Sequence, residues 1–301
     1  MESEPLRRRF ELPGPLDLIR TVGPLLGPSQ SIGLVDRGEV WRASRTPVGS
    51  VTLHVVIGER AVDAEAWGEG ADWALAHVPD LLGFSDDPTT FRPDHPRLRD
   101  LHVRAGGVRF GATRSVFEVL VPTILGQKVT TKESHSGYRR LVEVHGEPAP
   151  GPRDLRLAPS AEVLAELPYF EYHPLGIERK RADIIRSVAA RIGRLEEIVT
   201  MNRDEAVQRL MAFEGIGPWT AAFVMAAALG DADAVPVGDF HLPNTVAWAL
   251  ASEPRADDAR MLELLEPYRG HRGRVIRLLK QAGIHAPKYG PRSPIRSFEG
   301  S

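Results

Sequence analysis

The stretch Phe213-Glu-Gly-Ile-Gly-Pro-Trp-Thr-Ala221 has the composition of a tight turn and lies between two helical patterns. Gly215 and Gly217 allow positive φ, and Ile216 between them is placed to plug the two flanking helices together. The proline that follows suits the first position of the second helix, after a glycine cap. Such a turn presents bare backbone amides at a helix N-terminus, where they bind a phosphate oxygen without a side-chain charge.

Apolar residues recur at helical spacing on both sides of this hairpin, after a proline-rich linker from Pro88 to Pro96. The first helix is expected over 116–125, with a kink at Pro122. Further helices are expected around residues 134–144, 161–166, 179–192, 204–211, 219–229, 244–251, 256–265 and 273–282.

The residues before the linker follow a different pattern. Alternating apolar residues predict a β-hairpin with strands over 38–45 and 51–57 and a turn at 46–49. Short helices are expected at 15–22 and 65–75. We therefore expect a mainly α fold with an N-terminal α+β domain over 1–88 and a two-lobed helical core over 89–301, which contains the helix-hairpin-helix at about 204–229.

The chain has 301 residues, which is long enough for two or three domains. Its composition excludes several kinds of active site. Because it has no cysteine, disulfides, a thiolate nucleophile, cysteine-ligated zinc and a cysteine-held iron–sulfur cluster are excluded. No apolar stretch predicts a secretion signal or a membrane span, so a cytoplasmic protein is expected.

The net charge of −2 gives no global signal for a polyanionic partner, so such binding would need a local basic patch. One stretch between Tyr268 and Arg296 has basic residues and no acidic one: Arg269, Arg272, Arg274, Arg277, Lys280, Lys288, Arg292 and Arg296. A solvated basic tail is an equally good interpretation of this stretch.

Several segments together resemble one family, the helix-hairpin-helix DNA glycosylases, and most closely its alkylation-repair branch of the 3-methyladenine DNA glycosylase II type. The resemblance spans about residues 117–279, and the N-terminal α+β unit is similar to the accessory domain of that branch. It rests on Thr123-Ile-Leu-Gly-Gln-Lys-Val129, Leu175-Gly-Ile-Glu-Arg-Lys-Arg-Ala182, Glu214-Gly-Ile-Gly-Pro-Trp-Thr-Ala221, Ala234-Val-Pro-Val-Gly-Asp-Phe-His-Leu-Pro243 and Pro267-Tyr-Arg269.

The resemblance implies that Asp239, shortly after the hairpin at the start of the next helix, is the catalytic carboxylate. Breaking an N-glycosidic bond builds positive charge on the sugar, and a fixed anion stabilises that charge and helps to position water. Asp231 and Asp233 also lie in this loop, but they precede the motif position. By itself, Asp239 would be interpreted as a helix N-cap, a role that lowers the pKa of a carboxyl group and is compatible with catalysis.

A base that leaves the duplex stack needs an aromatic or apolar pocket. Trp219 and Phe223 are four residues apart and share one helix face, which the resemblance places in that pocket. Tyr268, in the Pro-Tyr-Arg match, is expected to complete it. Aromatic rings suit alkylated purines because such bases carry positive charge. A tryptophan at position 219 is also compatible with a core role.

The remaining expected contacts are with the DNA backbone and the gap left by the flipped base. The resemblance implies that Lys128, directly after Gln127, stands where an apolar wedge is usual, so its stem could fill the gap or the residue could contact the backbone or stay exposed. His241 is expected to make a structural hydrogen bond. The DNA-binding residues are expected to be Gly215, Ile216, Gly217, Thr220, Gln127, Lys128 and Arg269.

The resemblance implies a monofunctional DNA glycosylase that flips a damaged, alkylated purine out of duplex DNA, hydrolyses its N-glycosidic bond and leaves an abasic site. Trp219 stands where bifunctional members place a lysine, which argues against the alternative of an oxidised-purine glycosylase with lyase activity. Asp239 argues against the other alternative, a catalytically silent damage-binding protein. We expect a monomer near the nucleoid, no membrane partner, no side-chain metal site and no cofactor except a Na⁺ or K⁺ ion at hairpin carbonyls.

Overall fold

The computed structural model describes residues 4–287 of the chain. Its N-terminal part is an antiparallel five-stranded sheet of order β1-β5-β4-β3-β2. The strands are β1 (Leu6–Glu11), β2 (Gly33–Asp36), β3 (Glu39–Thr46), β4 (Gly49–Ile57) and β5 (Ala61–Trp67). The predicted hairpin is confirmed as β3 and β4, which pair from Glu39 with Val56 to Thr46 with Gly49.

The helix expected over 65–75 is wrong in its first part, because β5 continues to Trp67 and the helix begins only at Ala71. Alanine and glutamate at 64–66 have high helix propensity, which favoured a helix at this segment. It is a strand because β1 and β4 hydrogen-bond to its two sides, so tertiary pairing overrides local propensity. No sequence pattern predicted β1, whose Arg7 and Arg9 pair with Glu65 and Asp63 on β5.

Helices form the rest of the chain, with one small sheet of β6 (Glu147–Pro148) and β7 (Arg156–Leu157). The expected mainly α fold with an N-terminal α+β part is confirmed, and α5 continues through Pro122. The helices are α1 (Leu18–Val22), α2 (Ala71–Ala76), α3 (Val78–Leu81), α4 (Pro96–Arg104), α5 (Val116–Leu125), α6 (Thr131–His145), α7 (Ala161–Glu166), α8 (Tyr169–Tyr172), α9 (Arg179–Ala189), α10 (Ile192–Glu196), α11 (Arg203–Met211), α12 (Pro218–Ala228), α13 (Leu242–Ala251), α14 (Asp258–Leu265) and α15 (Arg272–Gln281).

Separate hydrophobic clusters organise the helical part. One cluster contains buried residues of α5, α6, α9, α11 and α12. Another joins α13, α14 and α15 to Phe91 and Leu98, which come from the chain before α5. The loop from α12 to α13 therefore runs from the first cluster to the second. The domain boundary at residue 88 stays a prediction.

The start of α15 is fixed by buried ion pairs. Asp233 accepts hydrogen bonds from the amides of Gly270 and Arg272 and pairs with the Arg272 guanidinium. Arg274 pairs with Asp86, between the sheet and α4. These contacts hold α15 against the loop that follows α12, so Asp233 has a structural role.

Candidate active site

The hairpin between α11 and α12 holds Ile216 inside the protein, as the sequence predicted. Ile216 is 4% exposed, and its amide donates to the carbonyl of Phe213 at 3.1 Å. Gly215 has a φ of +83°, and a Cβ at this position would lie 2.4 Å from Cδ1 of Ile184 on α9. Position 215 therefore needs glycine both for its backbone conformation and for the close approach of α9.

Gly217 differs from Gly215, and the expectation of positive φ is wrong for it. Its φ is −99° and its ψ is −179°, which is extended backbone that other residues adopt. No atom lies within 4 Å of the position that its Cβ would take. The first helical bond of α12 runs from the amide of Ala221 to the carbonyl of Gly217 at 2.9 Å. The amides of Trp219 and Thr220 precede that bond, as the free amides of a helix start do.

Gln127 connects the end of α5 to the hairpin. Its side-chain nitrogen donates to the carbonyl of Gly215 at 2.9 Å and to the hydroxyl of Thr220 at 3.0 Å. Thr220 is only 2% exposed, so its hydroxyl faces inward and its backbone amide is the group it can offer to DNA. Both side chains thus position the hairpin, and their DNA contacts stay predictions.

Asp239 lies three residues before α13, and its carboxylate is held by three donors. The indole Nε1 of Trp219 donates to Oδ2 at 3.0 Å. The amides of His241 and Leu242 each donate to Oδ1 at 2.9 Å. Asp239 therefore caps the start of α13 from outside the helix while its other oxygen faces the indole of α12.

The environment of Asp239 favours its ionised form. Burial acts to raise the pKa of this carboxyl group, but the Trp219 hydrogen bond, the two amides and the nearby charge of Lys280 outweigh it. The pKa of Asp239 is consequently below its usual value. A buried anion with a fixed orientation is suited to stabilise a developing positive charge.

Two of the three predicted pocket aromatics lie together. The ring centroids of Trp219 and Phe223 are 4.6 Å apart with planes inclined by 52°, and both side chains are half-buried. Cη2 of Trp219 lies 3.5 Å from the position of a Cβ on Gly126, so the indole passes over a residue without a side chain. These rings form an apolar wall beside Asp239.

Tyr268, the third predicted pocket aromatic, makes no ring contact with Trp219 or Phe223 in the described part of the chain. Its ring packs against Phe91 at a centroid distance of 6.2 Å, at the edge of the C-terminal hydrophobic cluster. Burial, with the charge of Asp94, raises the pKa of its hydroxyl. Its neighbour Arg269 is exposed and pairs with Glu266 at 2.6 Å.

Sequence reasoning did not place Lys280 in the pocket. Its Nζ lies 5.5 Å from the centroid of the Phe223 ring. Burial of the amine lowers its pKa, while the negative charge of Asp239 acts to raise it. The residue as a whole is nevertheless exposed, so Lys280 lies at the protein surface beside the ring of Phe223. Lys280 follows the buried Ile276 by four residues, and this helical spacing was the available signal.

Much of the expected basic patch faces inward. Arg272 and Arg274 form the ion pairs that fix α15, and Arg277 lies 3.8 Å above the Phe110 ring. For these three residues, both interpretations, a DNA-binding patch and a solvated basic tail, are wrong. The helical repeat directs their side chains toward carboxylates and an aromatic ring of the protein itself. Lys288, Arg292 and Arg296 lie outside the described residues.

Two exposed side chains are candidates for the gap left by a flipped base. Lys128 is exposed with a φ of +57°. Phe240 is 85% exposed and touches the ring of His241 edge-on. The expectation for His241 is wrong for its imidazole, which makes no hydrogen bond to the described residues; its backbone amide bonds Asp239 instead. An apolar side chain is usually buried, so the sequence pattern did not predict that Phe240 would be exposed.

Side chains of residues 4–287 form no cluster suited to a metal ion. No group of three or more histidine, aspartate or glutamate side chains there could hold a metal ion. The hairpin carbonyls of Phe213 and Gly215 each accept one hydrogen bond and keep a second lone pair, which fits the oxygen ligands of a monovalent cation. An ion there stays a prediction. In the same part of the chain, no helix combines the length and apolarity that a membrane span requires.

The fold and the hairpin resemble those of the helix-hairpin-helix DNA glycosylases, and comparison with known proteins agrees on the fold. No protein-family model matches the chain. The 3-methyladenine DNA glycosylase from Archaeoglobus fulgidus superposes with a TM-score of 0.77 at 22% identity, over 91% of this chain and 97% of that one.

Curated sequences point to one branch of that superfamily. A probable bifunctional transcriptional activator/DNA repair enzyme AlkA of Mycobacterium tuberculosis is 31% identical over 56% of this chain and 35% of its own length. A putative DNA-3-methyladenine glycosylase, YfjP of Bacillus subtilis, is 27% identical over 51% of this chain and 55% of its own length. The chain thus spans about a third to about half the length of these relatives. The expected resemblance to the helix-hairpin-helix DNA glycosylases, and to their 3-methyladenine branch, is confirmed.

Proposed function

We propose that this protein is a DNA glycosylase that hydrolyses the N-glycosidic bond of damaged, alkylated purines in duplex DNA. The observation that carries the proposal is the carboxylate of Asp239, held by Trp219 and two amides beside an aromatic wall. The relatives named 3-methyladenine glycosylases support the alkylated substrate class.

In this mechanism, the amides of Trp219 and Thr220 at the start of α12 bind a phosphate, and the damaged base leaves the stack to lie against Trp219 and Phe223. As the bond to the base breaks, positive charge develops on the sugar. The fixed anion of Asp239 stabilises this charge and orients the attacking water. The product is a free base and an abasic site.

The hydrolytic, monofunctional reaction is supported by Trp219, which occupies the position of the lyase lysine in bifunctional members of the superfamily. An indole N–H has no lone pair to attack the sugar, and here it is already bound to Asp239. Water is therefore the nucleophile. We further propose that the protein acts as a monomer on chromosomal DNA in the cytoplasm.

A panel of duplexes tests this function, each with a single defined lesion at one position. After incubation, released base is measured directly and abasic sites are revealed by alkaline cleavage. Release of alkylated purines, with strand breaks only after alkali, is the expected result. Binding to lesion-containing DNA without any base release would instead support a damage-binding protein.

A further inference from the structure

A cationic side chain lies on one face of the aromatic wall. Nζ of Lys280 is 5.5 Å from the Phe223 centroid, and the Phe223 ring is 4.6 Å from the ring of Trp219. The indole of Trp219 in turn bonds Asp239. The wall, the carboxylate and the ammonium thus form one connected group, although α15 is far in sequence from α12 and the loop that follows it.

Alkylated purines fall into two charge classes with opposite needs. A base with a fixed positive charge leaves as a neutral molecule and gains from an open aromatic face. A neutral base leaves with the electron pair of the broken bond, and this negative charge must be met by a proton or a cation. An ammonium over Phe223 competes with the first class for the ring and repels its charge, whereas it serves the second.

This inference rests on the proposed glycosylase function. We propose that Lys280 is a further catalytic residue of the pocket, which protonates the departing base and makes neutral damaged purines the favoured substrates. The bond between the sugar carbon and the base nitrogen breaks, and its electron pair goes to the base, which takes a proton from Nζ. Water adds its hydroxide to the sugar carbon, and its second proton returns through solvent to the amine.

The position of Lys280 is set by the packing of α15. Arg272 and Arg274 anchor the start of the helix through Asp233 and Asp86. Ile276 and Leu279, which lie in the helical turn before Lys280, are both buried. The amine therefore approaches Phe223 from an anchored helix, and the exposure of Lys280 lets it exchange protons with solvent.

Lys280→Met tests the proposal, because methionine keeps the length and apolar stem of lysine and removes the ammonium. Single-turnover excision is measured on two otherwise identical duplexes, one with neutral ethenoadenine and one with cationic 7-methylguanine. We expect excision of ethenoadenine to fall about 100-fold, as for loss of a general acid, and excision of 7-methylguanine to stay constant or rise. Lys280→Arg keeps the charge but not an acid able to give up its proton, so it should restore little of the ethenoadenine activity, and full rescue would overturn proton transfer from Lys280.

The ratio of the two rates decides between interpretations, because a general loss of DNA affinity or folding lowers both rates together. Equal losses on both duplexes, or no loss on either, overturn the role of Lys280 while leaving the glycosylase function intact. A borohydride-trapped adduct that Lys280→Met abolishes also overturns it, since the amine would then be a nucleophile. A wild-type protein that releases no base from either duplex overturns the proposed function itself.

Discussion

The indole N–H of Trp219 donates to Oδ2 of Asp239 at 3.0 Å, so one side chain of α12 both lines the pocket and orients the carboxylate. The hairpin that precedes Trp219 is the element that we expect to bind a phosphate. The expected phosphate site and the position of the Asp239 carboxylate therefore both depend on the first turn of α12.

Trp219→Phe keeps an aromatic ring and removes the donor. Because the hydrogen bond helps to hold the pKa of Asp239 below its usual value, its loss raises that pKa. Activity requires the ionised carboxylate, so the acid limb of the pH profile of excision moves to higher pH, with a smaller change near neutral pH. Phe223→Leu is the control, since it alters the same wall without touching Asp239. An acid limb that moves equally in both variants would contradict this role.

Asp239→Asn abolishes the charge and disturbs the local hydrogen bonds. If its oxygen accepts from the amides of His241 and Leu242, its NH₂ group faces the N–H of Trp219, donor against donor. We expect excision to fall by at least about 100-fold, while affinity for abasic-site DNA stays within a few-fold. Asp257→Asn is the matched control, because Asp257 caps α14 by accepting from Arg260 and asparagine caps equally well. Near-normal excision by Asp239→Asn would remove Asp239 from the mechanism.

Sequence patterns predicted the fold and singled out Asp239, whose carboxylate the structure places beside Trp219, but they did not predict every side chain around it. The hairpin and the longer helices follow from local periodicity and turn chemistry, which act over a few residues, whereas the short α8 and α10 were not predicted. Lys280 and the packing of Tyr268 against Phe91 depend on how α15 meets α12 and how residue 91 meets the C-terminal helices. Such contacts between distant segments leave no local pattern in one sequence. The inward orientation of Arg272 could not be predicted for the same reason, because its partner Asp233 lies in a different segment of the chain.

Substitutions at the two hairpin glycines should have different effects, one on DNA binding and the other on stability. Gly217→Val places its side chain in open space at a φ of −99°, so the protein should stay folded while the side chain blocks the approach of a phosphate. DNA affinity, measured by fluorescence anisotropy, should fall by a similar factor on unrelated sequences, because the contact is to the backbone.

Gly215→Ala acts through stability instead. Its Cβ would lie 2.4 Å from Ile184 at a φ of +83°, and we expect a loss of about 1–3 kcal/mol in the free energy of unfolding. Ile184→Val in the same chain should recover part of it, which chemical denaturation can measure. Normal DNA affinity in Gly217→Val would refute the hairpin as a phosphate site.

Phe240 is a better candidate than Lys128 to fill the gap left by a flipped base, since it is apolar, 85% exposed and adjacent to Asp239. Phe240→Ala should slow excision from fully paired duplexes about tenfold, because unstacking costs a few kcal/mol. The loss should nearly vanish when the lesion lies opposite an abasic site, where little stacking remains to be broken. Lys128→Ala is the comparison, and a loss confined to that variant would assign the gap to Lys128.

The absence of strand cleavage is the last prediction, and it depends on which amine can reach the sugar. Trp219 fills the position of the lyase lysine, and its nitrogen is only a donor. Lys128, Lys132 and Lys180 are exposed, whereas Lys280 has an amine with a lowered pKa beside the pocket. Lys280 is therefore the lysine that could substitute, since lysine nucleophiles are activated in this way.

We expect Lys280 to give its proton to the base rather than its lone pair to the sugar. Borohydride should then trap no covalent adduct with lesion-containing DNA, and no nick should form before alkali or heat. A bifunctional glycosylase run on its own substrate shows that the trapping conditions work. A trapped complex that persists in Lys280→Met but is lost in Lys128→Ala, Lys132→Ala or Lys180→Ala would identify another nucleophile. Any efficient trap would replace hydrolysis by a Schiff-base mechanism, with Asp239 still stabilising the sugar.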